Sequence, residues 1–149
     1  MKRLEPVSKI MTKQLITLSL NDNLYKAEQL FKENNIRHIP VLEGKKLIGM
    51  LSHSDLERIS FLDSFDSKEI EIDNAVYEMF DIQQIMIKNL VTINSNISVK
   101  STAEILAKNQ FHSLPIVDDN ELVGMVTTTD LLNYLLKQYE LEAKKEELI

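Results

Sequence analysis

Two short stretches of this sequence each place a hydroxyl three residues before a carboxylate. The pairs are Ser52 with Asp55 and Thr127 with Asp130, and each follows an apolar run that begins with glycine. A hydroxyl at a helix N-terminus, beside free backbone N–H groups, suits a phosphate oxygen. A carboxylate can accept two hydrogen bonds, as a cis-diol such as ribose would offer. Ser/Thr-x-x-Asp is also close to a capping box, so a purely structural role stays open for each pair.

Other polar residues could converge on each pair. They are Thr17, Arg37 and His38 in the first half, and Thr92 and His112 in the second half. Arg and His would add charge-assisted hydrogen bonds to an anionic group. The second set is poorer in cations, because Ser113 stands two residues before Pro115, where a cation could be. If only one set binds a phosphorylated nucleotide, we therefore expect it to be the first.

Catalytic and metal-binding motifs are absent from the sequence. There is no Gly-x-Ser-x-Gly elbow, no Walker loop and no dinucleotide-binding glycine fingerprint. The histidines are His38, His53 and His112. A metal triad would need a third ligand at a matching position of the repeat, and the repeat provides none. The sequence therefore predicts no enzyme, no catalytic residues and no metal. A nucleotide hydrolase, the enzymatic alternative, would lack a candidate general base beyond the histidines.

Composition narrows the class of protein further. The chain has 149 residues, of which 44% are hydrophobic and 27% are charged, enough for one ordinary domain or two small ones. Its net charge of -6 argues against nucleic acid as a partner, since nucleic-acid binding needs a basic footprint. Cysteine is absent, and no apolar run approaches the ~18 residues of a membrane span. The N-terminus turns polar at once, so we expect a cytoplasmic protein without membrane contact.

The chain also repeats itself with an offset of 75 residues, the distance from Asp55 to Asp130. Identical residues recur in one register without a gap across both halves. The matched segments include Ile10-Met11 with Ile85-Met86, Asn34 with Asn109, Pro40 with Pro115, and Gly49-Met50 with Gly124-Met125. Such a register predicts a tandem structural repeat.

Each repeat reads as the same series of elements. Short helical leads are expected at 7–11 and 82–86, β-favouring runs at 15–18 and 90–93, and helices at 24–34 and 99–109. Asn23 and Ser98 are the candidate N-caps. Apolar strands at 39–42 and 114–117 turn into return strands at 47–52 and 122–127, and a second helix starts near Ser54 and Thr129.

These elements predict an α/β (α+β) fold of two β-α-β-β-α repeats. One repeat is too small to bury a good core alone, so we expect the two to pack through their sheets with pseudo-twofold symmetry. The expected boundaries are 1–62 for the first repeat, 63–79 for an acidic linker, and 80–149 for the second repeat with its C-terminal helix. The carboxylates of the linker favour a solvated segment, with a metal site as the alternative.

The repeated pattern resembles the cystathionine-β-synthase (CBS) domain, in the tandem form called a Bateman module. The resemblance covers about residues 5–62 and 80–139, and its carriers are Ile-Met before a strand, Ile39-Pro40-Val41 with Leu114-Pro115-Ile116, and the doubled Gly-x-x-Ser/Thr-x-x-Asp. It implies two pseudo-symmetric sites in a cleft between sheets. Such sites commonly bind adenosine compounds: AMP, ADP, ATP, S-adenosylmethionine or NAD.

The resemblance also implies roles for the candidate residues. Asp55 and Asp130 would hold ribose, and Ser52 and Thr127 would contact phosphate. Arg37, His38 and His112 would assist at the phosphate, while Thr17 and Thr92 would lie beside the base. CBS pairs tend to form disc-like homodimers, so we also expect a homodimer.

Two functions of different kind follow from the sequence. The first is a regulatory module that senses an adenosine nucleotide and signals to a separate, unknown effector protein. The second is a ligand-free dimerisation or scaffold module that keeps the fold and acts through a protein partner. Nucleotide that copurifies with the protein would distinguish the two.

Overall fold

The computed structural model describes residues 5–64 and 77–148. Its strands are β1 (Leu18–Ser19), β2 (His38–Glu43), β3 (Lys46–Ser52), β4 (Ser113–Asp118) and β5 (Glu121–Thr127). Its helices are α1 (Leu24–Asn34), α2 (His53–Ser64), α3 (Ile82–Ile85), α4 (Val99–Asn109) and α5 (Thr128–Glu147), with a 3-10 turn at Val7–Lys9. The predicted mixed α and β class and the repeated order of elements are confirmed. Most of the expected linker, residues 65–76, lies outside the described residues, as does the metal alternative for it.

The chain divides into two compact units. The first-repeat unit is Ile16–Leu90, and the second-repeat unit combines Met1–Leu15 with Val91–Ile149. Each repeat's lead segment therefore falls in the unit built around the other repeat, and the expected boundaries of the sequence repeats stay a prediction. The lead of the first repeat, which ends at Thr12, pairs with β5, whereas the lead of the second repeat, which ends at Ile87, pairs with β3.

The sheet of the first-repeat unit joins β1, β2 and β3. Strand β1 runs parallel to β2 with Leu18 opposite Val41, and β2 runs antiparallel to β3 with His38 opposite Ser52. Helix α1 forms the crossover that a parallel pair requires. Strand β1 begins at residue 18, not at residue 15 as predicted. The register would place Thr17 opposite Pro40, which has no N–H to donate to a neighbouring strand.

The second-repeat unit repeats this arrangement. Strands β4 and β5 are antiparallel with Ser113 opposite Thr127, and the expected strand at 90–93 is reduced to a bridge between Ile93 and Ile116. Its two hydrogen bonds run from Ile93 N–H to the Pro115 carbonyl (3.2 Å) and from Val117 N–H to the Ile93 carbonyl (2.8 Å). In both units, a proline in the neighbouring strand therefore limits the length of the first strand.

Both helices α1 and α4 occupy the predicted residues. The Asn23 side chain accepts the Lys26 N–H at 2.9 Å, and the Ser98 side chain accepts the Ser101 N–H at 3.0 Å. Both helices end at left-handed residues, Asn35 (φ 50°) and Gln110 (φ 57°). Their apolar faces are buried in the two cores, as the helical spacing predicted.

Each unit has its own apolar core beneath these helices. The first-repeat core includes Leu18, Leu24, Phe31, Ile39, Val41, Leu51, Leu56 and Ile82. The second-repeat core includes Val7, Ile93, Leu106, Leu114, Ile116 and Val126. Because Ser52 and Thr127 are the last residues of β3 and β5 and directly follow the buried Leu51 and Val126, the cores fix the positions of both candidate hydroxyls.

The exchanged leads explain the glycine that opens each repeated stretch. A Cβ added to Gly49 would clash with the Met86 side chain, with Cγ at 2.8 Å, and would meet the Ile87 carbonyl oxygen at 3.1 Å. A Cβ added to Gly124 would lie 2.7 Å from Met11 Sδ and 3.2 Å from the Thr12 carbonyl oxygen. In each unit, the Gly-Met pair of the hairpin thus packs against the Ile-Met pair of a lead.

Candidate ligand-binding sites

The first candidate site forms where β3 passes directly into α2. The Asp55 N–H donates to Ser52 Oγ at 3.0 Å, so Ser52 caps the helix. Ser52 is 8% exposed, and the Asp55 side chain retains 20% of its exposure. The capping interpretation is therefore realised here, and it leaves the carboxylate reachable from solvent.

The Asp55 carboxylate has a cation beside it. Its Oδ1 lies 3.4 Å from Arg58 Nη1, one turn along α2, and the Arg58 side chain is 70% exposed. Exposed pairs of this kind contribute about 0–1 kcal/mol, because solvent competes for both partners. A ligand that offers two hydroxyls to Asp55 can therefore displace this contact at little cost.

The other predicted residues of the first site lie at the start of β2 and directly before β1. His38 opens β2 directly opposite Ser52, and the Arg37 carbonyl accepts the His53 N–H at 2.8 Å. Both side chains are exposed, and Thr17 directly precedes β1, which lies beside β2. The backbones of Arg37 and His38 are therefore held beside Ser52, whereas Thr17 precedes a strand on the other side of β2.

The second candidate site has the same backbone plan with a tighter cap. The Asp130 N–H donates to Thr127 Oγ1 at 3.0 Å, and the Thr127 N–H donates to Asp130 Oδ2 at 2.9 Å. These two bonds form a complete capping box at the start of α5. The carboxylate that was expected to bind ribose is thus already an acceptor within the protein.

A residue that the sequence analysis missed contacts this carboxylate. The Thr12 hydroxyl lies 3.3 Å from both Asp130 Oδ1 and Asp130 Oδ2. Thr12 is 118 residues away in sequence and reaches the site through the exchanged lead. The available signal was a difference between the repeats, because Ile87 occupies the equivalent position in the second copy.

The remaining residues of the second set lie near the same edge. The His112 carbonyl accepts the Thr128 N–H at 2.9 Å, and the His112 side chain is exposed. Thr92 is exposed directly before Ile93, the residue that pairs with β4. The second edge therefore presents one imidazole, where the first presents a guanidinium and an imidazole.

A groove of about 520 Å³ extends from Asp130 along α5. Its walls carry Lys9, Lys137 and Lys145 together with Glu5 and Glu142, so charges of both signs line it. Near its middle the Tyr134 hydroxyl donates to Glu5 Oε2 at 2.9 Å. Burial, and then the bond to Glu5, raise the pKa of Tyr134 above its ordinary value.

Comparison with known proteins identifies the family. The CBS domain profile matches residues 7–61 and 82–137, and the chain therefore belongs to the CBS domain family and carries two copies of the domain. The CBS domain-containing protein YhcV of Bacillus subtilis is 33% identical over 125 residues. That match covers 84% of this chain and 81% of YhcV.

Solved structures share the fold. AcuB from Vibrio cholerae superposes with a TM-score of 0.78 at 25% identity, over 95% of this chain and 97% of that one. CBSX2 in complex with AMP gives 0.75 at 20% identity, over 91% and 98% of the two chains. The CBS domain pair of protein MJ0100, in complex with 5′-methylthioadenosine and S-adenosyl-L-methionine, gives 0.69 at 24% identity, over 91% and 98%.

Some relatives are enzymes, and the matched segment is a small part of them. The homoserine O-acetyltransferase of Methanococcus vannielii is 33% identical over 85% of this chain, but the match spans 24% of that enzyme. Within the described residues of this chain, no group of three or more His, Cys, Asp or Glu side chains could hold a metal ion. Of the described helices, none is both long and apolar enough to cross a membrane.

Proposed function

We propose that this protein is a regulatory module that binds an adenosine nucleotide at the edge formed by Ser52, Asp55, Arg37 and His38, without catalysis. The observation that carries the proposal is the pairing of the start of β2 with the end of β3, which places the backbones of Arg37 and His38 beside Ser52. A carboxylate with an exposed face lies one helical turn from a capping hydroxyl, and two exposed basic side chains lie at the neighbouring strand end. A ribose diol and a phosphate require this combination of acceptor and donors.

The ligands of related structures support an adenosine compound. CBSX2 was solved with AMP, and the MJ0100 domain pair with 5′-methylthioadenosine and S-adenosyl-L-methionine. These three molecules share adenine and a ribose diol and differ in the group at the 5′ position. In our proposal the shared part binds at Asp55 and Thr17. Arg37 and His38 favour a 5′-phosphate, so AMP, ADP and ATP rank before S-adenosylmethionine and NAD.

Ser52 can serve the helix and the ligand together. As a cap it uses an oxygen lone pair to accept the Asp55 N–H. Its hydroxyl proton is not needed for that bond and can be donated to a phosphate oxygen. The same reasoning applies to Thr127, with His112 as the cation and Thr92 beside the base. At Ser52 the helix cap therefore leaves both the hydroxyl proton and the Asp55 carboxylate available to a ligand.

The two sites are unequal in this proposal, and the first is the stronger. Asp130 accepts bonds from Thr127 and Thr12, whereas the Asp55 carboxylate pairs, among the described residues, with the solvent-exposed Arg58. The first edge also has one more cation. A phosphorylated nucleotide should therefore occupy the first site at lower concentration than the second.

A thermal-shift panel with matched variants tests the proposed ligand. Millimolar AMP, ADP or ATP should raise the melting temperature, since a ligand that binds the folded state stabilises it. Asp55→Asn should weaken nucleotide binding by about 1.5–3 kcal/mol, the scale of hydrogen bonds to a charged group. Glu57→Gln is the control, because it removes an exposed carboxylate from the same helix, whose ion pair within the described part of the chain is with His53 at 3.3 Å.

Two results would count against the proposal. If no adenosine compound shifts the melting temperature of the wild-type protein, the sensing function is wrong. If nucleotides bind Asp55→Asn as tightly as they bind Glu57→Gln, ribose is not held by Asp55. Isothermal titration of both variants with AMP measures the second difference directly.

Regulation requires that the ligand bind two states of the protein with different affinity. We propose that an effector protein, whose identity is open, reads the resulting change, and that it does so in the cytoplasm. We also propose that the chain forms a homodimer through the apolar side of α5. The ligand-free scaffold stays a second candidate, because α5 exposes Leu132, Leu136 and Tyr139. Native mass spectrometry separates the two functions, since a sensor should carry or acquire a nucleotide.

A further inference from the structure

Thr12 lies across the face of Asp130 that a ribose diol would need. Its hydroxyl is equally far, 3.3 Å, from both carboxylate oxygens. A diol that binds a carboxylate donates one hydroxyl to each oxygen, so it requires the same two acceptors. The remaining internal bond, from the Thr127 N–H to Oδ2, belongs to the helix cap and approaches from the backbone.

The backbone of Thr12 is held independently of its side chain. The Thr12 N–H donates to the Met125 carbonyl at 2.7 Å, and the Met125 N–H donates to the Thr12 carbonyl at 3.0 Å. Met11, the preceding residue, packs against Gly124. The hydroxyl can therefore leave Asp130 by a rotation about χ1 while the lead segment stays paired with β5.

Among the residues that the structure describes, the first site has no hydroxyl in the place of Thr12. Ile87 is the equivalent of Thr12 under the offset of the repeat, and its side chain carries no donor. Its backbone makes the same two bonds, to Met50, at 2.8 and 3.0 Å. The backbone plan of the two leads is thus alike, and the hydroxyl is the chemical difference at this position.

We infer that Thr12 is an internal competitor for Asp130 that lowers the affinity of the second site for a ribose diol and so sets the order in which the two sites fill. The inference rests on the proposed function, since it specifies how one of its two sites is regulated. A ligand at Asp130 must displace the Thr12 hydroxyl before its own hydroxyls can bind, whereas a ligand at Asp55 displaces a solvent-exposed guanidinium. A bond of 3.3 Å is long for O–H···O, so the penalty is modest.

Titration with AMP in an Asp55→Asn background isolates the second site. Thr12→Val keeps the β-branched shape and removes the hydroxyl, and it should tighten AMP binding about two- to tenfold, the range of one ordinary hydrogen bond. Thr12→Ser restores a hydroxyl and should restore the weaker binding. Ile87→Val is the matched control, because it alters the equivalent residue of the other lead and should leave AMP affinity at the second site unchanged.

A second ligand separates competition from a general change in structure. The gain from Thr12→Val should shrink for 2′-deoxy-AMP, which has lost one hydroxyl of the diol, whereas a structural effect would change both ligands equally. The inference would be overturned if Thr12→Val left AMP binding unchanged or weaker, or if both ligands gained equally. In either case, AMP binding by the wild-type protein would leave the proposed function intact. If wild-type protein bound no AMP, the proposed function itself would fall, and the inference with it.

Discussion

At the scale of single residues, one polar side chain can have both a structural role and a proposed ligand-binding role in this protein. Ser52 and Thr127 cap helices that the sequence also marks as ligand sites, and the two roles use different parts of the hydroxyl. Asp118 gives a purely structural counterpart at the end of β4. It accepts the Ser95 hydroxyl at 2.5 Å and the Ser95 N–H at 3.0 Å. These bonds, the hydroxyl first, hold the pKa of Asp118 below its ordinary value of 3.8.

The lowered pKa of Asp118 predicts a loss of stability in acid. Because the folded state holds the ionised form, its contribution is fully present above the unfolded pKa and is lost as the pH falls through the folded pKa. Asp118→Asn should therefore be less stable than wild type at neutral pH, and the difference should shrink as the pH falls below about 4. Urea unfolding of both proteins between about pH 7 and pH 2.5 measures it.

Ser95→Ala supplies the control for this prediction. With the hydroxyl removed, Asp118→Asn should cost less than it does in the wild-type background, since the strongest partner of the carboxylate is gone. Wild-type and Asp118→Asn stabilities that run parallel across the whole pH range would contradict the assignment to Ser95.

At the scale of elements, the predictions succeeded where the signal is local. Helices α1 and α4 matched because an N-cap, an apolar stripe and a left-handed end all agree along and directly beside an eleven-residue segment. Strand β1 was misplaced because its limit depends on Pro40 in another strand. The sequence also could not predict that each lead pairs with the hairpin of the other repeat. The matching Ile-Met and Gly-Met pairs are visible in the sequence, but either lead could pair with either hairpin.

The contact between leads and hairpins predicts a strong response to a single methyl group. Gly49→Ala should destabilise the protein by about 1–3 kcal/mol, because Met86 is nearly buried and the Ile87 carbonyl is fixed by Met50. Gly124→Ala should do the same through Met11. Chemical denaturation gives both values.

A double-mutant cycle tests the cause of this destabilisation. Met86→Ala removes the atoms that the new Cβ would strike, so Gly49→Ala should cost less in that background than in the wild type. Additive effects would mean that the glycine is needed for another reason. Gly44 offers a contrast, since a Cβ there has open space and only the left-handed backbone, at φ 64°, opposes it.

At the scale of the whole molecule, the repeat made the family recognisable and indicated the candidate sites. Capping bonds hold Ser52 beside Asp55 and Thr127 beside Asp130, whereas the ligand-binding roles of these and the other site residues stay predictions. The sequence shows only part of the difference between the two candidate sites. The missing cation at Ser113 could be read from the sequence, whereas the contact of Thr12 with Asp130 depends on the exchanged lead. A side chain brought from 118 residues away leaves no local pattern to find.

The last prediction concerns association of whole chains. Leu132, Leu136 and Tyr139 recur at helical spacing on α5 and are each about 60% exposed, with Leu135 beside them at 38%. An apolar stripe of this kind is typical of an interaction surface, and a twofold contact would place the stripe of one chain against the same stripe of a second. We expect wild-type protein to sediment at twice the mass of one chain.

Leu136→Glu should shift the protein to the monomer, because two carboxylates would be buried face to face. Gln138→Glu adds the same charge on the groove side of the helix and should leave the dimer intact. Monomeric wild-type protein at micromolar concentration, or equal effects of the two variants, would rule out α5 as the interface.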